Sequence, residues 1–410
     1  MADSFRGSAL FVQSGVPTAV INASVAAAVQ EAAKTDCIDR LLAAHGGLLG
    51  VLQEDLFDLR KERAEDIENL KRTPSAALGS CRHQVESAVD LERIQEVLAA
   101  HNVRFLFLAG GREAMAAADR IGAAASARGH ELRVLGIPAA SDNSLACTDH
   151  CPGFASAAKL VATRVMEAGR DTEALRNHTP CTVREITGRS SGWLAAATGL
   201  ARRSPEDAPH LIYVPERLVS LDTVTSDVRE CLRLHGRCFV AAAEGLRDAR
   251  GERLAESGTA DFLRDLIQRE VGVRCRAVRG TTAQRAAMHF ASLADVSEAA
   301  EAGLAAVRKA ARGQSGVMIT LVREPGPVYR CSTGTARLSD VAAGEHLLPP
   351  EFLGSSGNGI SEAMKEYARP LLRGEAPINL GPEGLPVFVR LQKRPVPKKL
   401  AEWNHPVAAG

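Results

Sequence analysis

Aromatic side chains are scarce in this sequence, and neither sign of charge dominates. Phe, Trp and Tyr make up 4% of the 410 residues, and 50 basic residues are balanced by 49 acidic ones, for a formal net charge of +1. Few aromatics argue against stacking surfaces for single-stranded nucleic acid. A balanced charge gives no field to recruit nucleic acid or an anionic membrane. We therefore expect no nucleic-acid partner.

The sequence also lacks a long apolar run. No stretch approaches the roughly 20 residues of a membrane-spanning helix. The first residues, MADSFRGSALFV, have neither the basic region nor the apolar core of a signal peptide. We therefore expect a cytoplasmic protein with no membrane partner.

The cysteines show no clear metal-binding pattern. There are nine, an odd number, and none belongs to the doubled CxxC pattern of a structural zinc site. Reduced thiols are the simpler interpretation where no secretion signal is evident. Metal binding is the less favoured alternative for two groups. These are Cys147, Asp149, His150 and Cys151, and then Cys231, His235 and Cys238.

The sequence does contain short apolar segments that alternate with segments of helical composition. The first apolar segment ends in Gly15, and residues 17–34 after it are rich in alanine. This alternation predicts a doubly wound, mostly parallel α/β sheet. The length of 410 residues fits two domains or one large unit. The predicted strands are 8–15, 103–111, 132–138, 210–216, 236–245 and 316–324.

Loops with chemically suggestive sequences lie at the ends of these strands. They read QSGVP, LAGGRE, GIPAASDN and AAEGL. Ligands of doubly wound sheets bind beyond the carboxyl ends of the strands, where Gly turns let the backbone approach a phosphate. Each loop alone also fits an ordinary turn, but together they predict one phosphate-binding site.

One carboxylate, Asp142, stands among small neutral neighbours after the strand 132–138. Two roles fit this position. Asp142 could act as a general base. Its side chain could instead cap the next helix, a role that Asp and Asn fill well. The spacing leaves both roles open.

Several longer segments follow one another in an order typical of one enzyme family. They include QSGVPTAVINAS, LAGGREA, GIPAASDN, EITGRSSGWLAA and AQRAAMHFASLAD. In them the chain resembles the pyrophosphate-dependent branch of the phosphofructokinases, along nearly its whole length. The resemblance implies two doubly wound α/β domains with the active site in the cleft between them. The N-terminal, donor-binding domain would comprise residues 1–153 and 284–335, and the sugar-phosphate-binding domain residues 154–283 and 336–410.

Members of this family move a phosphoryl group from pyrophosphate, or from ATP in the sister branch, to the 1-hydroxyl of fructose 6-phosphate. The resemblance implies these ligands here, with Mg²⁺ as cofactor and a homodimer or homotetramer as the assembly. The chemistry needs a base for the hydroxyl proton, positive charge at the donor, and fixed groups that hold the 6-phosphate.

Asp142 occupies the position of the catalytic base in the family's TIDND-type motif, followed by Asn143. The lysine of the pyrophosphate branch is absent, and losing such a charge at the transferring group should cost several kcal/mol of barrier. The departures are Ala139 for that lysine, Ala140 and Ser141 for the substrate-contacting Thr and Ile, and Ser144 for the second aspartate.

The donor side also departs from the family. Arg112 stands where the GGDDS-type loop has an aspartate near Mg²⁺, and a guanidinium has no lone pair for a metal. We expect Arg112 to contact phosphate and to assist catalysis. Glu113 is the candidate metal ligand, and Val16 replaces a Gly where the backbone approaches phosphate. The implied donor-binding residues are Gly15, Val16, Arg82, Gly110, Gly111 and Glu113.

The acceptor side is better kept. Arg189 matches the family's MGR motif, Glu244 the EG motif, and Arg285 an arginine that binds the 6-phosphate. Each alone fits an ordinary surface ion pair, but three matches in register favour ligand contact. The implied substrate-binding residues are Ala140, Ser141, Thr187, Gly188, Arg189, Glu244, Thr282 and Arg285. The departures are Thr187 for Met, Thr282 for an aromatic residue or His, and Pro180 for a basic residue that reaches the neighbouring subunit.

Three functions fit this pattern. The first is phosphoryl transfer to fructose 6-phosphate through a weakened donor site. The second is sugar-phosphate binding without catalysis, as a regulatory subunit in a hetero-oligomer with an active homologue. The third is a kinase with another donor or acceptor. We place phosphoryl transfer first because the base and much of the acceptor site are kept.

Overall fold

The computed structural model describes residues 5–256, 258–280 and 282–404. Within these residues the chain forms eleven strands and thirteen α-helices. The strands are β1 Gly7–Ser14, β2 Ile38–Ala44, β3 Leu56–Asp58, β4 Val103–Gly110, β5 Arg133–Pro138, β6 Cys181–Ile186, β7 Leu211–Tyr213, β8 Cys238–Ala243, β9 Cys275–Val278, β10 Val317–Arg323 and β11 Cys331–Arg337. The helices are α1 Ile21–Ala32, α2 Leu48–Leu52, α3 Ala64–Asn69, α4 Ala88–Ala100, α5 Arg112–Ala127, α6 Phe154–Ala174, α7 Trp193–Ala197, α8 Leu221–His235, α9 Thr259–Glu270, α10 Ala283–Ala286, α11 Leu293–Ala311, α12 Leu338–Ala343 and α13 Glu362–Ala368.

The first sheet has seven strands in the order β11-β10-β5-β4-β1-β2-β3. Its interior pairs are parallel, and the edge strands β3 and β11 pair antiparallel to their neighbours. All eight residues of β1 are buried, as expected of a strand covered by helices on both faces. Helices α1 and α11 pack on one face, and α4, α5 and α12 pack on the other.

The second sheet has four parallel strands in the order β7-β8-β6-β9. Helices α6, α7, α8, α9 and α13 contribute to its core, in which Trp193 is the largest fully buried side chain. The predicted fold class, an α/β protein with doubly wound sheets, is confirmed. None of the described helices is both long and apolar enough to cross a bilayer.

The six strands predicted from the sequence are all present, with ends shifted by at most three residues. The prediction omitted β2, β3, β6, β9 and β11. Strand β6 contains Arg184 and Glu185, and β11 is only partly buried, so neither has the apolar run on which the prediction relied.

The predicted division assigned residues 336–410 to the domain of the second sheet, where α13 does pack, but two parts of this range contact the first sheet's domain. Helix α12 packs instead on the first unit. Phe57 of β3 forms an isolated bridge with Pro395, and the Val396 N–H donates to the Leu56 carbonyl. This segment has no apolar periodicity that would indicate its partner. The division of the remaining residues stays a proposal.

Candidate active site

A cavity of about 510 Å³ lies where loops from the two sheets meet. The carboxyl ends of β1, β4 and β5 supply one wall, and residues after β6, β8 and β9 supply the other. Both Asp142 and Glu244 line this cavity, as the cleft predicted from the sequence requires. The predicted site residues that line it are Gly15, Val16, Arg82, Gly111, Arg112, Glu113, Ala140, Ser141, Asp142, Thr187, Arg189, Glu244, Thr282 and Arg285.

Two predicted site residues are absent from the cavity lining. Gly110 ends β4 where a Cβ atom would lie 2.2 Å from the Ser14 carbonyl oxygen, so its glycine serves strand packing. Gly188 has a φ of +151°, and a Cβ there would lie 2.4 Å from the Ser191 carbonyl oxygen. The Gly188 N–H donates to Oε1 of Glu244 over 3.4 Å. Gly188 therefore supports Glu244 from behind.

Asp142 lies in the loop after β5. The Ser144 hydroxyl donates to Oδ1 of Asp142 over 2.8 Å, and the Ser191 hydroxyl donates to its backbone carbonyl over 3.4 Å. The helix-capping alternative is not what the structure shows. The first turn of α6 is held by Asp295, whose carboxylate accepts from the Gly153 and Ser156 N–H groups at 2.8 and 2.9 Å. The Asp142 carboxylate can therefore face a ligand.

Arg112 begins α5 at the donor side of the cavity. Its Nη1 lies 3.2 Å from Oε1 of Glu345, and the two side chains are 49% and 46% exposed. An ion pair this exposed contributes only about 0–1 kcal/mol, so a phosphate could displace Glu345 at little cost. Glu345 follows α12, more than 200 residues away in sequence, and no local pattern could have identified it.

The other donor-side residues form the mouth of the cavity. Gly15 has a φ of +90°, so the turn needs a glycine there. Val16 after it is 37% exposed and adds an apolar side chain to the lining. Ala139 is buried and also lines the cavity, so no side-chain cation is available at that position.

The donor side fits a Mg²⁺ ion poorly. Mg²⁺ requires oxygen ligands in octahedral geometry. Among the described residues, no three or more His, Cys, Asp or Glu side chains form a group that could hold a metal. Oε1 of Glu113 accepts from the Gln84 amide over 3.3 Å, Glu345 is paired with Arg112, and Arg112 cannot ligate a cation. Glu113 as a metal ligand stays a prediction.

The acceptor side contains both paired and unpaired groups. Nε of Arg189 lies 3.7 Å from Oε1 of Glu244. The Thr187 N–H donates to Oε1 of Gln284 over 3.0 Å, which fixes the loop after β6. Nε of Arg285 is buried without a hydrogen-bond partner in the described part of the chain. An unsatisfied buried donor is costly, so Arg285 is suited to an anionic ligand. Sequence reasoning missed Gln284, although it directly precedes Arg285.

A buried charge network lies behind the Asp142 loop. The His150 ring nitrogens lie 2.8 Å from Oδ1 of Asp149 and 2.8 Å from Oε2 of Glu298. Arg323 also pairs with Asp149, and the Tyr329 hydroxyl donates to Glu298. Burial alone would lower the pKa of His150, but the two carboxylates raise it to about 9. His150 is therefore a buried imidazolium that joins the loop to α11.

The two cysteine-containing groups considered for metal binding have other contacts. Burial raises the pKa of the Cys151 thiol, which disfavours the thiolate that a metal needs. The Cys231 thiol contacts the Arg237 carbonyl over 3.3 Å. His150 has both ring nitrogens bonded to carboxylates, as described above.

The chain belongs to the phosphofructokinase family, which it matches over residues 8–310. Among curated relatives, it is 39% identical to the pyrophosphate–fructose 6-phosphate 1-phosphotransferase of Xanthomonas campestris, over 97% of this chain and 99% of the relative. It is 38% identical to the enzyme of the same name from Methylococcus capsulatus, over 96% and 98% of the two chains. The crystal structure of a pyrophosphate-dependent phosphofructokinase from Nitrosospira multiformis superposes with a TM-score of 0.91 at 35% identity, covering 97% of this chain and 99% of that one.

Proposed function

We propose that this protein transfers a phosphoryl group from pyrophosphate to the 1-hydroxyl of fructose 6-phosphate. The observation that carries the proposal is that Asp142, Arg189, Glu244 and Arg285 line one cavity of about 510 Å³. That volume lies within the range of small-molecule sites. The names of relatives 38–39% identical over nearly the whole chain support the same substrates.

In this mechanism Asp142 accepts the proton of the sugar hydroxyl as its oxygen attacks the transferring phosphorus. The bond from that phosphorus to the bridging oxygen of pyrophosphate breaks, and orthophosphate leaves. Arg285 and Arg189 hold the 6-phosphate with charge-assisted hydrogen bonds, and Glu244 contacts the sugar. Arg112 leaves Glu345 to balance the negative charge of the donor.

Mg²⁺ is the cofactor expected from the family, and it would neutralise donor charge. Because the described side chains fit it poorly, we assign it no ligand and no step. ATP is an alternative donor. For the assembly we propose a homodimer or homotetramer.

The second candidate function is sugar-phosphate binding without catalysis, in a hetero-oligomer with an active homologue. The observation that favours it is the combination of Arg112, Ala139 and Val16 on the donor side of the cavity. Arg112 stands in place of a carboxylate, Ala139 in place of a cation and Val16 in place of a glycine. The site that would hold the transferring group therefore lacks all three.

Titration calorimetry combined with an enzymatic assay separates these functions. The purified chain would be titrated with fructose 6-phosphate, pyrophosphate and ATP, each with and without Mg²⁺, and assayed for fructose 1,6-bisphosphate. Binding of both fructose 6-phosphate and pyrophosphate with turnover supports the proposal. Binding of the sugar phosphate without binding of either donor supports the non-catalytic alternative. Failure to bind fructose 6-phosphate contradicts both.

Arg285→Ala tests the acceptor site directly. A charged hydrogen bond to phosphate contributes about 1.5–3 kcal/mol, so fructose 6-phosphate should bind roughly ten- to a hundredfold more weakly. The matched control is Arg279→Ala, because Arg279 is exposed, lies on the same segment and pairs with Asp261. Equal dissociation constants for Arg285→Ala and the natural sequence would remove Arg285 from the site.

A further inference from the structure

A second cavity, of about 390 Å³, shares no lining residue with the catalytic one. One wall is the stretch after α7, which contributes Arg202, Arg203 and Ser204. The other wall is the glycine-rich loop 354–360 with Lys365 of α13. We call this cavity the basic pocket.

Three cations and no carboxylate line the basic pocket. Lys365 pairs with Glu362 over 3.1 Å. Among the described residues, the Arg202 guanidinium donates only to the Pro205 carbonyl, over 3.3 Å, and the Arg203 guanidinium has no ion-pair or hydrogen-bond partner. Solvated arginines are common on protein surfaces. Like charges that converge on one cavity repel each other, however, and an anion would relieve that repulsion.

The glycine-rich wall is held in place by the second unit. Nη1 of Arg217 donates to the Gly354 carbonyl over 2.7 Å, and the Ile212 N–H donates to the Asn358 carbonyl over 2.9 Å. Gly357 between them has a φ of +84°, so the turn favours glycine. Ser355 and Ser356 line the pocket, and the Ser356 hydroxyl donates to Oδ1 of Asn358 over 2.8 Å. Because this wall is already held in place, little conformational entropy is lost when a ligand binds against it.

A buried histidine in the wall is short of a hydrogen-bond partner. His210 is 7% exposed, and its Nδ1 accepts from the Phe239 N–H over 2.9 Å. In the neutral ring Nε2 must therefore carry the proton. Among the described residues, no acceptor forms a hydrogen bond of ordinary length with this Nε2. Burial lowers the pKa of His210 to about 4, aided by nearby cations and opposed by the Glu206 carbonyl. His210 is thus a neutral donor at physiological pH.

We propose that the basic pocket is a second ligand site, which binds a small molecule carrying a phosphate monoester. Arg202, Arg203 and Lys365 supply the charge for the phosphate, and Ser355 supplies a hydroxyl donor. The volume of about 390 Å³ accommodates a metabolite larger than inorganic phosphate. The site does not depend on the proposed catalytic function, since the two cavities have no lining residue in common.

The test is calorimetric titration of the full chain carrying Arg285→Ala, which weakens phosphate binding in the catalytic cavity. The probes are inorganic phosphate and glycerol 3-phosphate, with glycerol as the uncharged control. We expect saturable binding of glycerol 3-phosphate that weakens as salt concentration rises. Adding Arg203→Ala or Lys365→Ala should weaken it at least about tenfold, the loss expected for one charged hydrogen bond.

Two variants serve as controls. Arg203→Lys keeps the charge and should retain most of the affinity. Arg128→Ala removes an exposed arginine that pairs with Glu92 far from the pocket, and it should change nothing. Unchanged affinity in Arg203→Ala, or binding of inorganic phosphate without the ester, would overturn the proposal. Thermal melts of each variant establish that the fold is retained.

Discussion

Asp142 and Arg112 line the same cavity but have different partners. Asp142 accepts a hydrogen bond from a neutral hydroxyl, that of Ser144, and its carboxylate forms no ion pair with any described residue. Arg112 is held by Glu345 in an exposed pair, which can exchange for a phosphate. We therefore propose that proton acceptance and charge neutralisation belong to different residues of this cavity.

Asp142→Asn should separate catalysis from binding. The amide keeps the size of the side chain and can still accept from Ser144, but it is not a base at neutral pH. A positioned general base contributes about 10²–10⁴-fold, so we expect kcat to fall by that factor while the dissociation constant of fructose 6-phosphate stays within a few-fold.

Ser144→Ala is the matched control, since it removes the hydrogen bond but keeps the carboxylate. Ser144→Ala should lower kcat much less than Asp142→Asn does. A kcat for Asp142→Asn equal to that of the natural sequence would show that another group takes the proton.

At the scale of elements, the proposed donor site is built from the turn after β1, the start of α5 and the loop after β5. Each carries one departure from the family pattern, namely Val16, Arg112 and Ala139. All three line the cavity, so the structure gives them a common location. They need not be additive, because groups that act on one transferring phosphoryl act as a unit.

The triple variant Arg112→Asp, Ala139→Lys, Val16→Gly tests whether these departures weaken transfer from pyrophosphate. One lost electrostatic contact at a transferring group typically costs about 2.7–4 kcal/mol. We therefore expect the natural sequence to turn over Mg²⁺-pyrophosphate two to three orders of magnitude more slowly than a restored site. The measurement is kcat at saturating substrates for both proteins. An ordinary enzymatic rate in the natural sequence, with no gain in the variant, would contradict this expectation. Arg112 would then neutralise the charge of the donor as well as the restored residues do.

The imidazolium of His150 joins the catalytic loop to α11, and its charge makes that junction sensitive to pH. Asp149 and Glu298 contact the ring, while Arg323 and Tyr329 contact those carboxylates. The folded-state pKa of about 9 lies above the ordinary histidine value of 6.5. The stabilisation is therefore fully present below pH 6.5 and is lost as pH rises through 9.

We expect the free energy of unfolding to fall by an amount on the order of 2–3 kcal/mol between pH 6.5 and 9. Each unit of difference between the folded-state and unfolded-state pKa of His150 contributes about 1.4 kcal/mol. His150→Gln should flatten this slope and destabilise the fold at pH 6.5, because it leaves buried carboxylates without their cation. Urea denaturation at several pH values measures both effects. His130→Gln is the control, because His130 bonds to the Val103 carbonyl rather than to a carboxylate. An unchanged slope in His150→Gln would assign the pH dependence to another group.

The comparison between sequence and structure shows which elements could be predicted. Strands such as β1 and β4 are buried on both faces and read as continuous apolar runs, so composition reveals them. Strand β6 interleaves Thr182, Arg184 and Glu185 with apolar residues, and its pairing partners β8 and β9 decide its conformation. The resemblance located most of the cavity lining. Glu345 and Gly280 also line it, but no motif contains them, and Glu345 reaches the site only through the tertiary fold. Gln284 lines it as well and lies in a quoted segment, but only Arg285 of that segment was identified.

At the scale of the whole molecule, the C-terminal segment, from residue 389 onward, packs against the unit built on the seven-stranded sheet. There it supplies hydrogen bonds to a buried polar group. The Lys399 and Leu400 N–H groups donate to the Glu54 carboxylate at 2.6 and 3.1 Å. His101 contacts the same carboxylate at 2.6 Å, and neither side chain is exposed. Burial alone would raise the pKa of Glu54, but these hydrogen bonds lower it. The segment therefore supplies partners that a buried charge requires.

Removal of residues 389–410 should therefore destabilise the first unit. Breaking the partners of a buried charge typically costs about 3–5 kcal/mol, and the loss of Val396 packing adds to it. The reference is a chain ending at residue 404, so that any contribution of the last six residues cancels. Urea denaturation, monitored by circular dichroism, gives the difference in the free energy of unfolding.

Glu54→Gln is the decisive companion variant. It should destabilise the reference chain. In the shortened chain it should cost much less or restore stability, because there it removes a charge that has already lost its partners. Equal costs of Glu54→Gln in the two chains would mean that the segment acts through packing alone.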